Sequence, residues 1–285
     1  MPHGERSSHA PLKLPAGGAL PNLRIVSARD VLLHEDADPV RVERLVSRLR
    51  QDGMLRNPPV AAVLSDGRYV VLDGANRTSA LAAIGAPVVA LQVVDYADPA
   101  IRLEVWRHLI VEPMDAVAAV RAAGLSVERA SRDAAARALD ERQVACYIVT
   151  DHDAFVVALS RSRPPAATLS LAVGAYKGAA QIYRVPTEDF EALAREYGKV
   201  SAIIVFPRLS KQDILEIAAS PVKLPTGITR HLIPGRALRL NLSLDALTTP
   251  GDVEQKNRAL QDLIRRRLLD GAVRYYPEGA YLFDE

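Results

Sequence analysis

One short segment of the chain has the residue types and the spacing of a phosphate-binding turn. An apolar run over residues 69–72 is followed directly by Asp73, Gly74, Ala75, Asn76, Arg77 and Thr78. Gly74 permits a tight turn and a close approach of the backbone to a ligand. If a helix begins here, its first N–H groups lack partners and carry the positive end of the helix dipole, which attracts phosphate. Arg77 adds a planar fork that matches phosphate oxygens, and Thr78 adds a hydroxyl donor.

The same residues are also compatible with an ordinary strand-to-helix turn. In that alternative, Asp73 caps the helix and Arg77 lies on the surface. Residue types and spacing by themselves leave both possibilities open.

The elements around the turn predict a compact α+β unit, which we place at residues 22–98. Asp38 and Pro39 are typical of the first positions of a helix, and Gly53 is typical of its end. The apolar and polar runs predict, in order, a strand, a polar loop, a helix, a hairpin, a second helix and a strand, at residues 23–31, 33–38, 39–52, 60–72, 76–84 and 88–94.

The pattern changes at Asp98-Pro99, which is the predicted boundary to a second α/β lobe over residues 99–285. Residues 1–21 are rich in Pro, Gly, Ser and His and lack the apolar core of a secretion signal, so we expect a disordered leader. The predicted fold class is therefore mixed α+β and α/β, with two lobes after the leader. In the second lobe, apolar spacing predicts helices at residues 113–123, 127–139, 188–197, 211–219 and 253–269, and strands at residues 144–150, 202–206 and 281–283.

Composition argues against several classes of function. The formal net charge is +2 and the basic residues form no stripe, which argues against nucleic acid as a partner. No apolar run is long enough to span a membrane. Cys146 is the only cysteine, so an internal disulfide is excluded, and we expect it to be a small core side chain. A reducing, cytoplasmic location fits best, and the oligomeric state stays open.

Residues 71–81, with the sequence VLDGANRTSAL, resemble the DG-x-x-R signature of the ParB/sulfiredoxin-like superfamily. The predicted order of elements in residues 22–98 also fits that fold. Sulfiredoxins carry a catalytic cysteine at the position of Ala75, so their chemistry is absent. Partition proteins carry a G-E-R-R motif for CTP and a helix-turn-helix domain, and we find neither clearly in this chain.

Four further segments carry a second resemblance: HED at residues 34–36, DGMLRNPP at 52–59, QVVDY at 92–96 and GITRHLIPGRAL at 227–238. They resemble the free serine kinases of archaeal cysteine biosynthesis and of bacterial siderophore gene clusters. The resemblance implies a kinase that transfers a phosphoryl group from ATP or ADP to the hydroxyl of free L-serine and gives O-phospho-L-serine. It also implies Mg²⁺ beside the phosphates, and a product used for siderophores or cysteine.

The resemblance also implies roles for individual residues. Glu35 is the expected general base for the serine hydroxyl, in a loop that faces the phosphate turn. Asp73 is the second expected catalytic residue, and it could hold a metal through water, orient Arg77 or cap the helix. The expected nucleotide-binding residues are Gly74, Ala75, Asn76, Arg77, Thr78, His34 and Asn57. The expected serine-binding residues, three of them in a predicted loop after Gly227, are Trp106, Thr229, Arg230 and His231.

Several of these residues have an ordinary alternative. Glu35 could be a solvated loop carboxylate, His34 a loop histidine and Trp106 a core residue. Residues 174–178 lack the spacing of a P-loop, and residues 265–267 are interpreted as a solvated arginine face.

The sequence is also compared with two alternative functions. The first is a ParB-like regulator that binds DNA and uses nucleotide only as a switch, and the near-neutral charge argues against it. The second is a catalytically inactive nucleotide-binding module, and the joint presence of Glu35, Asp73 and Arg77 argues against that.

Overall fold

The computed structural model describes residues 20–111 and 114–276, and the predicted mixed α/β class is confirmed. The first part of the chain contains six strands and two helices in the order β1 (Asn22–Ser27), β2 (Val31–Leu33), α1 (Pro39–Asp52), β3 (Met54–Leu55), β4 (Val60–Val63), β5 (Tyr69–Asp73), α2 (Ala75–Ile84) and β6 (Val88–Val94). Five of these strands form one sheet in the spatial order β1-β6-β4-β5-β2.

The single strand predicted over residues 23–31 is wrong. A 3₁₀ turn, Ala28–Asp30, divides it, and the Ser27 side chain accepts a hydrogen bond from the Arg29 N–H. The two pieces, β1 and β2, then lie at opposite edges of the sheet. A short polar side chain that bonds the backbone two residues later favours a turn over a continuous strand.

This division places the loop after β2 beside the phosphate turn. β2 runs parallel to β5, with Leu33 opposite Val71. Parallel neighbours end at the same edge of a sheet, so the residues that follow β2 lie next to the end of β5. The predicted caps of α1 are confirmed, since Asp38 accepts from two N–H groups of its first turn and Gly53 has φ 63°.

The second part of the chain is built on another sheet. Six strands form it in antiparallel pairs, in the spatial order β12-β8-β13-β10-β11-β9. The elements, in chain order, are β7 (Arg102–Val105), β8 (Arg107–Val111), α3 (Ala116–Ala122), β9 (Val127–Ala130), α4 (Arg132–Asp140), β10 (Val144–Val149), β11 (Ala154–Ala158), α5 (Pro165–Gly174), β12 (Gln181–Val185), α6 (Phe190–Tyr197), β13 (Val200–Val205), α7 (Lys211–Ala219), β14 (Thr229–Leu232), β15 (Leu242–Ser243), α8 (Leu244–Thr248) and α9 (Val253–Leu269).

The predicted helix over residues 127–139 is only half right. Its first residues form β9, which pairs with β11, with Val127 opposite Val157. Ser131 then caps α4 by accepting from the Ala134 N–H. A partner strand distant in sequence overrides the local helical spacing.

The end of the described chain returns to the first sheet. Leu240, Leu242 and Leu260 pack into the core formed by β1, α1 and β6. The Asn257 side chain accepts from the Ile25 N–H at 2.8 Å and donates to the Ile25 carbonyl at 2.7 Å. The two predicted lobes are thus interleaved along the chain, because α9 completes the core of the first.

Some predictions concern residues outside the described part. These are almost all of the leader, residue 113 of the first helix of the second lobe, and the strand at residues 281–283. Within residues 20–111 and 114–276, no helix is long and apolar enough to cross a membrane. Cys146 is buried, as predicted.

Candidate active site

Glu35 is the best-anchored carboxylate at the edge where β2 and β5 end. Its Oε1 accepts from the Thr229 N–H and from the Thr229 hydroxyl, both at 2.6 Å, and its Oε2 accepts from the Gly227 N–H at 3.0 Å. The residue is only 9% exposed, so it is not a solvated loop carboxylate. Leu224 holds the loop from behind, since its N–H donates to the His34 carbonyl and its carbonyl accepts from the Asp36 N–H.

His34, the neighbour of Glu35, is also buried. Its Nδ1 lies 2.8 Å from the Val71 carbonyl of β5, and its Nε2 lies 2.8 Å from the Thr229 hydroxyl. Both ring nitrogens therefore have partners inside the protein. Burial lowers the pKa of His34, while the nearby Glu35 raises it in part.

The phosphate turn begins at a glycine that no other residue could replace without strain. Gly74 has φ 101°, and a Cβ there would lie 3.0 Å from the Cβ of Pro59. No side chain caps α2, so its first N–H groups stay available to a ligand. Asn76 fixes the turn to the start of α1 by accepting from the Asp38 N–H at 2.7 Å.

Asp73 does not cap α2, so that alternative is wrong. Its Oδ2 lies 2.6 Å from Nη2 of Arg77 and also pairs with Arg236. A second amino group of Arg77, Nη1, donates to the Asn57 carbonyl at 3.0 Å. Asp73 thus orients Arg77, and the Asn57 side chain accepts from the Arg239 N–H at 2.8 Å.

Three of the residues expected to bind serine, Thr229, Arg230 and His231, lie on the strand β14, and the prediction of a loop there is wrong. β14 pairs with β7, with Thr229 opposite Val105 and Arg230 opposite Glu104. Successive side chains of a strand point to opposite faces, which separates Thr229 and His231 from Arg230. The His231 ring lies 5.5 Å from the His34 ring, centroid to centroid.

Trp106 and Arg230 form a separate cluster close to this strand. The Arg230 guanidinium lies 4.3 Å from the centroid of the Trp106 ring, and its Nη1 lies 3.2 Å from Oε2 of Glu104. Trp106 is half-buried, and its backbone N–H donates to the Ile228 carbonyl at 2.8 Å. The structure thus brings Thr229 to Glu35 and His231 to His34, and it places Trp106 and Arg230 together in a separate cluster.

No family model matches the chain, but curated proteins do. It is 25% identical over 268 residues to the ATP-dependent L-serine kinase SbnI of Staphylococcus aureus, covering 93% of this chain and 98% of the relative. It is 21% identical over 227 residues to an ATP-dependent L-serine kinase of Staphylothermus marinus, covering 78% and 90%. The predicted resemblance to the free serine kinases is confirmed.

Solved structures share the fold of this chain. C-terminally truncated SbnI from Staphylococcus aureus matches with a TM-score of 0.70 at 22% identity, over 86% of this chain and 97% of that one. A free serine kinase in complex with AMP matches with a TM-score of 0.71 at 15% identity, over 80% and 95%.

Arg184 is a candidate that the sequence did not reveal. It lies on β12, and a Cβ at Gly227 would come within 2.6 Å of its Cζ, so the guanidinium packs directly on Gly227. Within residues 20–111 and 114–276, its side chain has no hydrogen bond or ion pair. The residue reaches solvent, yet crowding by protein atoms lowers the pKa of its guanidinium; Arg41 lowers it further and Glu35 raises it.

Lys177 adds a second cation from the same lobe. Its Nζ lies 3.2 Å from Oδ2 of Asp38, beside the start of α1. The segment at 174–178 lacks P-loop spacing, but it contains this lysine and lies close to the start of α1. No local signal distinguishes Arg184 or Lys177 from surface cations, because both reach the site only through tertiary packing.

Among the described residues, no group of three or more His, Cys, Asp or Glu side chains could hold a metal ion. Asp73, the best single ligand candidate, already has two arginines on Oδ2. This donor set fits Mg²⁺ only as an ion that stays mainly on the nucleotide phosphates.

Proposed function

We propose that this protein phosphorylates free L-serine with ATP and releases O-phospho-L-serine and ADP. One observation carries the proposal: a buried, triply hydrogen-bonded Glu35 stands beside an uncapped helix start that follows Asp73-Gly74. The likeness to L-serine kinases over 93% of the chain supports the same activity.

In the proposed reaction, Glu35 takes the proton from the serine Oγ. The electron pair released there forms the new bond to the γ-phosphorus. The bond from that phosphorus to the oxygen bridging to the β-phosphate breaks, and its electron pair leaves with ADP. Such transfer depends mostly on positioning and on neutralising charge.

The nucleotide phosphates are proposed to lie at the start of α2. The N–H groups around Ala75 and Asn76 would donate to phosphate oxygens, and Thr78, whose hydroxyl bonds the Gly74 carbonyl, stabilises the turn. Arg77 is held by Asp73 and the Asn57 carbonyl, so we assign it to the edge of this site. Mg²⁺ would arrive with ATP and neutralise phosphate charge.

We propose Arg184 and Lys177 as additional cations for the phosphates. Arg184 lacks an ion-pair partner among the described residues and lies near Glu35, where the transferred group must pass. An unpaired guanidinium there matches the oxygens of a phosphoryl group.

Serine is proposed to bind beside Glu35 and the adjoining strand β14. Thr229 and His231 would line its hydroxyl side, and Trp106 with Arg230 would lie near its carboxylate. The Arg230 guanidinium is already oriented by Glu104, which prepares it for a second carboxylate.

The direct test is product formation. Purified protein is incubated with L-serine, Mg²⁺ and ATP, and O-phosphoserine and ADP are quantified by mass spectrometry. We expect equal amounts of the two products, none with L-alanine, and little with serine inside a peptide. An absence of O-phosphoserine with both ATP and ADP as donors would overturn the proposal, and a nucleotide-dependent DNA mobility shift would favour the regulator instead.

A further inference from the structure

Two buried residues of the second lobe belong to a chain of hydrogen bonds that ends at Glu35. The Gly227 N–H donates to Oε2 of Glu35, and the Gly227 carbonyl oxygen lies 3.1 Å from Nε2 of His108. The other ring nitrogen of His108, Nδ1, lies 2.8 Å from the Tyr176 hydroxyl. His108 is 3% exposed and Tyr176 is fully buried, so both side chains are shielded from water.

The partners of the His108 ring fix the positions of its protons. The Gly227 carbonyl can only accept a hydrogen bond, so Nε2 must donate it. Burial lowers the pKa of His108 to about 4, so the ring is neutral at neutral pH and Nδ1 is an acceptor. The Tyr176 hydroxyl then donates to Nδ1. Each of these buried groups therefore has the partner that it needs.

His108 belongs to a rigid part of the second sheet. It lies on β8, between β12 and β13, and its register partners there are Arg184 and Ile204. The Phe206 ring packs edge to face on the His108 ring, with the centroids 4.8 Å apart. Gly227, in contrast, precedes β14 and has φ 86°. A residue on a well-supported strand thus holds a residue outside the sheet, and such support is what fixes the geometry of a site.

Gly227 connects this support to the carboxylate. It has no side chain of its own, and the Arg184 guanidinium occupies the space where a Cβ would lie. Its backbone N–H and carbonyl are therefore the groups by which it contacts Glu35 on one side and His108 on the other. A shift of the carbonyl away from His108 would move the N–H away from Oε2 of Glu35.

We propose that His108, oriented by Tyr176, is a positioning residue that holds the Gly227 N–H against Glu35 and so fixes the orientation of the carboxylate towards the serine hydroxyl. The inference rests on the proposed function of Glu35 as the base. Thr229 holds only Oε1, so without the Gly227 bond the carboxylate is free to rotate about that contact. Small displacements of a catalytic group lower the rate strongly, because the reacting atoms must be close and aligned.

Two amide substitutions separate the two bonds of the His108 ring. The amide group of glutamine reaches the position of Nε2, so His108→Gln keeps a donor for the Gly227 carbonyl. The shorter asparagine reaches only the position of Nδ1, so His108→Asn keeps a partner for the Tyr176 hydroxyl and loses the bond to Gly227. We expect kcat for O-phosphoserine formation to fall roughly 10- to 100-fold in His108→Asn and to be largely restored in His108→Gln.

Binding measurements distinguish positioning from general damage to the site. The affinity for ATP by calorimetry and the KM for serine should stay near the wild-type values in both variants, because neither ligand is proposed to contact His108. Equal values of kcat in His108→Asn and His108→Gln would overturn the proposal. So would an unchanged kcat with a raised KM for serine in His108→Asn.

The matched control is Tyr147→Phe, which removes another buried tyrosine hydroxyl from the same sheet. That hydroxyl donates to Glu188, and the Tyr147 ring packs with Leu109, whose side chain points away from that of His108. We expect kcat to be unchanged in this variant. If His108→Asn does not fold, Tyr176→Phe replaces it, since it removes the group that orients the ring. It should lower kcat by a smaller factor, and an unchanged kcat would then overturn the proposal.

A readout without turnover separates this inference from the proposed function. The ¹⁵N chemical shifts of His108 report which ring nitrogen carries the proton, and amide hydrogen exchange reports how well the Gly227 N–H is held. We expect the proton on Nε2, and faster exchange at Gly227 in His108→Asn than in the wild type or in His108→Gln. A proton on Nδ1, or equal exchange rates in the three proteins, would refute the inference. A wild-type protein that meets both expectations but forms no O-phosphoserine would refute the kinase activity and leave the support of Glu35 standing.

Discussion

Replacement of Glu35 by glutamine tests the proposed base directly. The carboxylate accepts three hydrogen bonds, two at Oε1 and one at Oε2. The amide keeps one acceptor oxygen, and its NH₂ group must face at least one N–H donor, from Gly227 or Thr229. Since the site is buried, the loss of one such bond should lower the free energy of unfolding by about 1–3 kcal/mol. The loss of the base should lower kcat by about 10²- to 10⁴-fold.

Three measurements separate these effects. O-phosphoserine formation at saturating substrates gives kcat, calorimetry gives the affinity for ATP, and urea unfolding gives stability. We expect a large fall in kcat, a modest fall in stability and nearly unchanged ATP affinity, because the phosphates are proposed to contact α2 and not Glu35. Glu43→Gln, an exposed substitution on α1, is the matched control and should change none of the three. A Glu35→Gln protein that is folded and keeps more than half of the wild-type kcat would refute the assignment.

Three further predictions follow from the site and its supports. Arg184→Gln should weaken ATP binding by about 1.5–3 kcal/mol, roughly 10- to 150-fold, whereas Arg129→Gln at the opposite edge of the same sheet should leave it unchanged. Calorimetry that gives equal ATP affinities for wild type and Arg184→Gln would remove Arg184 from the site. Gly74→Ala should lose about 1–2 kcal/mol of stability from its positive φ and also lose ATP affinity, while Gly85→Ala, with φ 86° and open space, should lose stability alone; unfolding and calorimetry check both. Burial lowers the pKa of His108 to about 4 from 6.5. Between these two pH values, His108 is therefore protonated in the unfolded chain but mostly neutral in the folded protein. The free energy of unfolding should therefore fall by roughly 3 kcal/mol as the pH is lowered from about 6.5 to 4, and it should not depend on His108 above about pH 6.5. Urea unfolding at a series of pH values checks this, and the absence of such a fall would show that the assignment is wrong.

Local signals predicted several elements closely. The α1 helix begins at Asp38-Pro39 and ends at Gly53 because its caps are set by neighbouring residues. The helix α9 has the predicted bounds, since a long periodic pattern needs little help from the rest of the fold. The prediction failed at residues 127–139 and 23–31, where a distant partner strand and a side-chain turn, respectively, decide the structure.

In the candidate site, too, some features follow from local sequence and others depend on segments that are distant in the chain. The sequence named Glu35 and Thr229 only through resemblance, and their partnership spans 194 residues of chain. It suggested that Asp73 could cap α2, whereas the carboxylate bonds Arg77 and Arg236 instead. Pairing between charged side chains depends on which segments meet, and the local spacing of residues does not contain that information.

The sequence alone determined the strand-to-helix turn at residues 73–75, because the requirements of such a turn are local. A glycine at a positive φ and a helix that starts immediately afterwards are properties of a few consecutive residues. Only the tertiary structure decided that Glu35 is buried, that Gly227 and Thr229 hold it, and that Arg184 packs on Gly227. These contacts join β2, β12 and β14, and their formation depends on the burial of apolar residues across the whole chain, a cooperative property that no short segment carries.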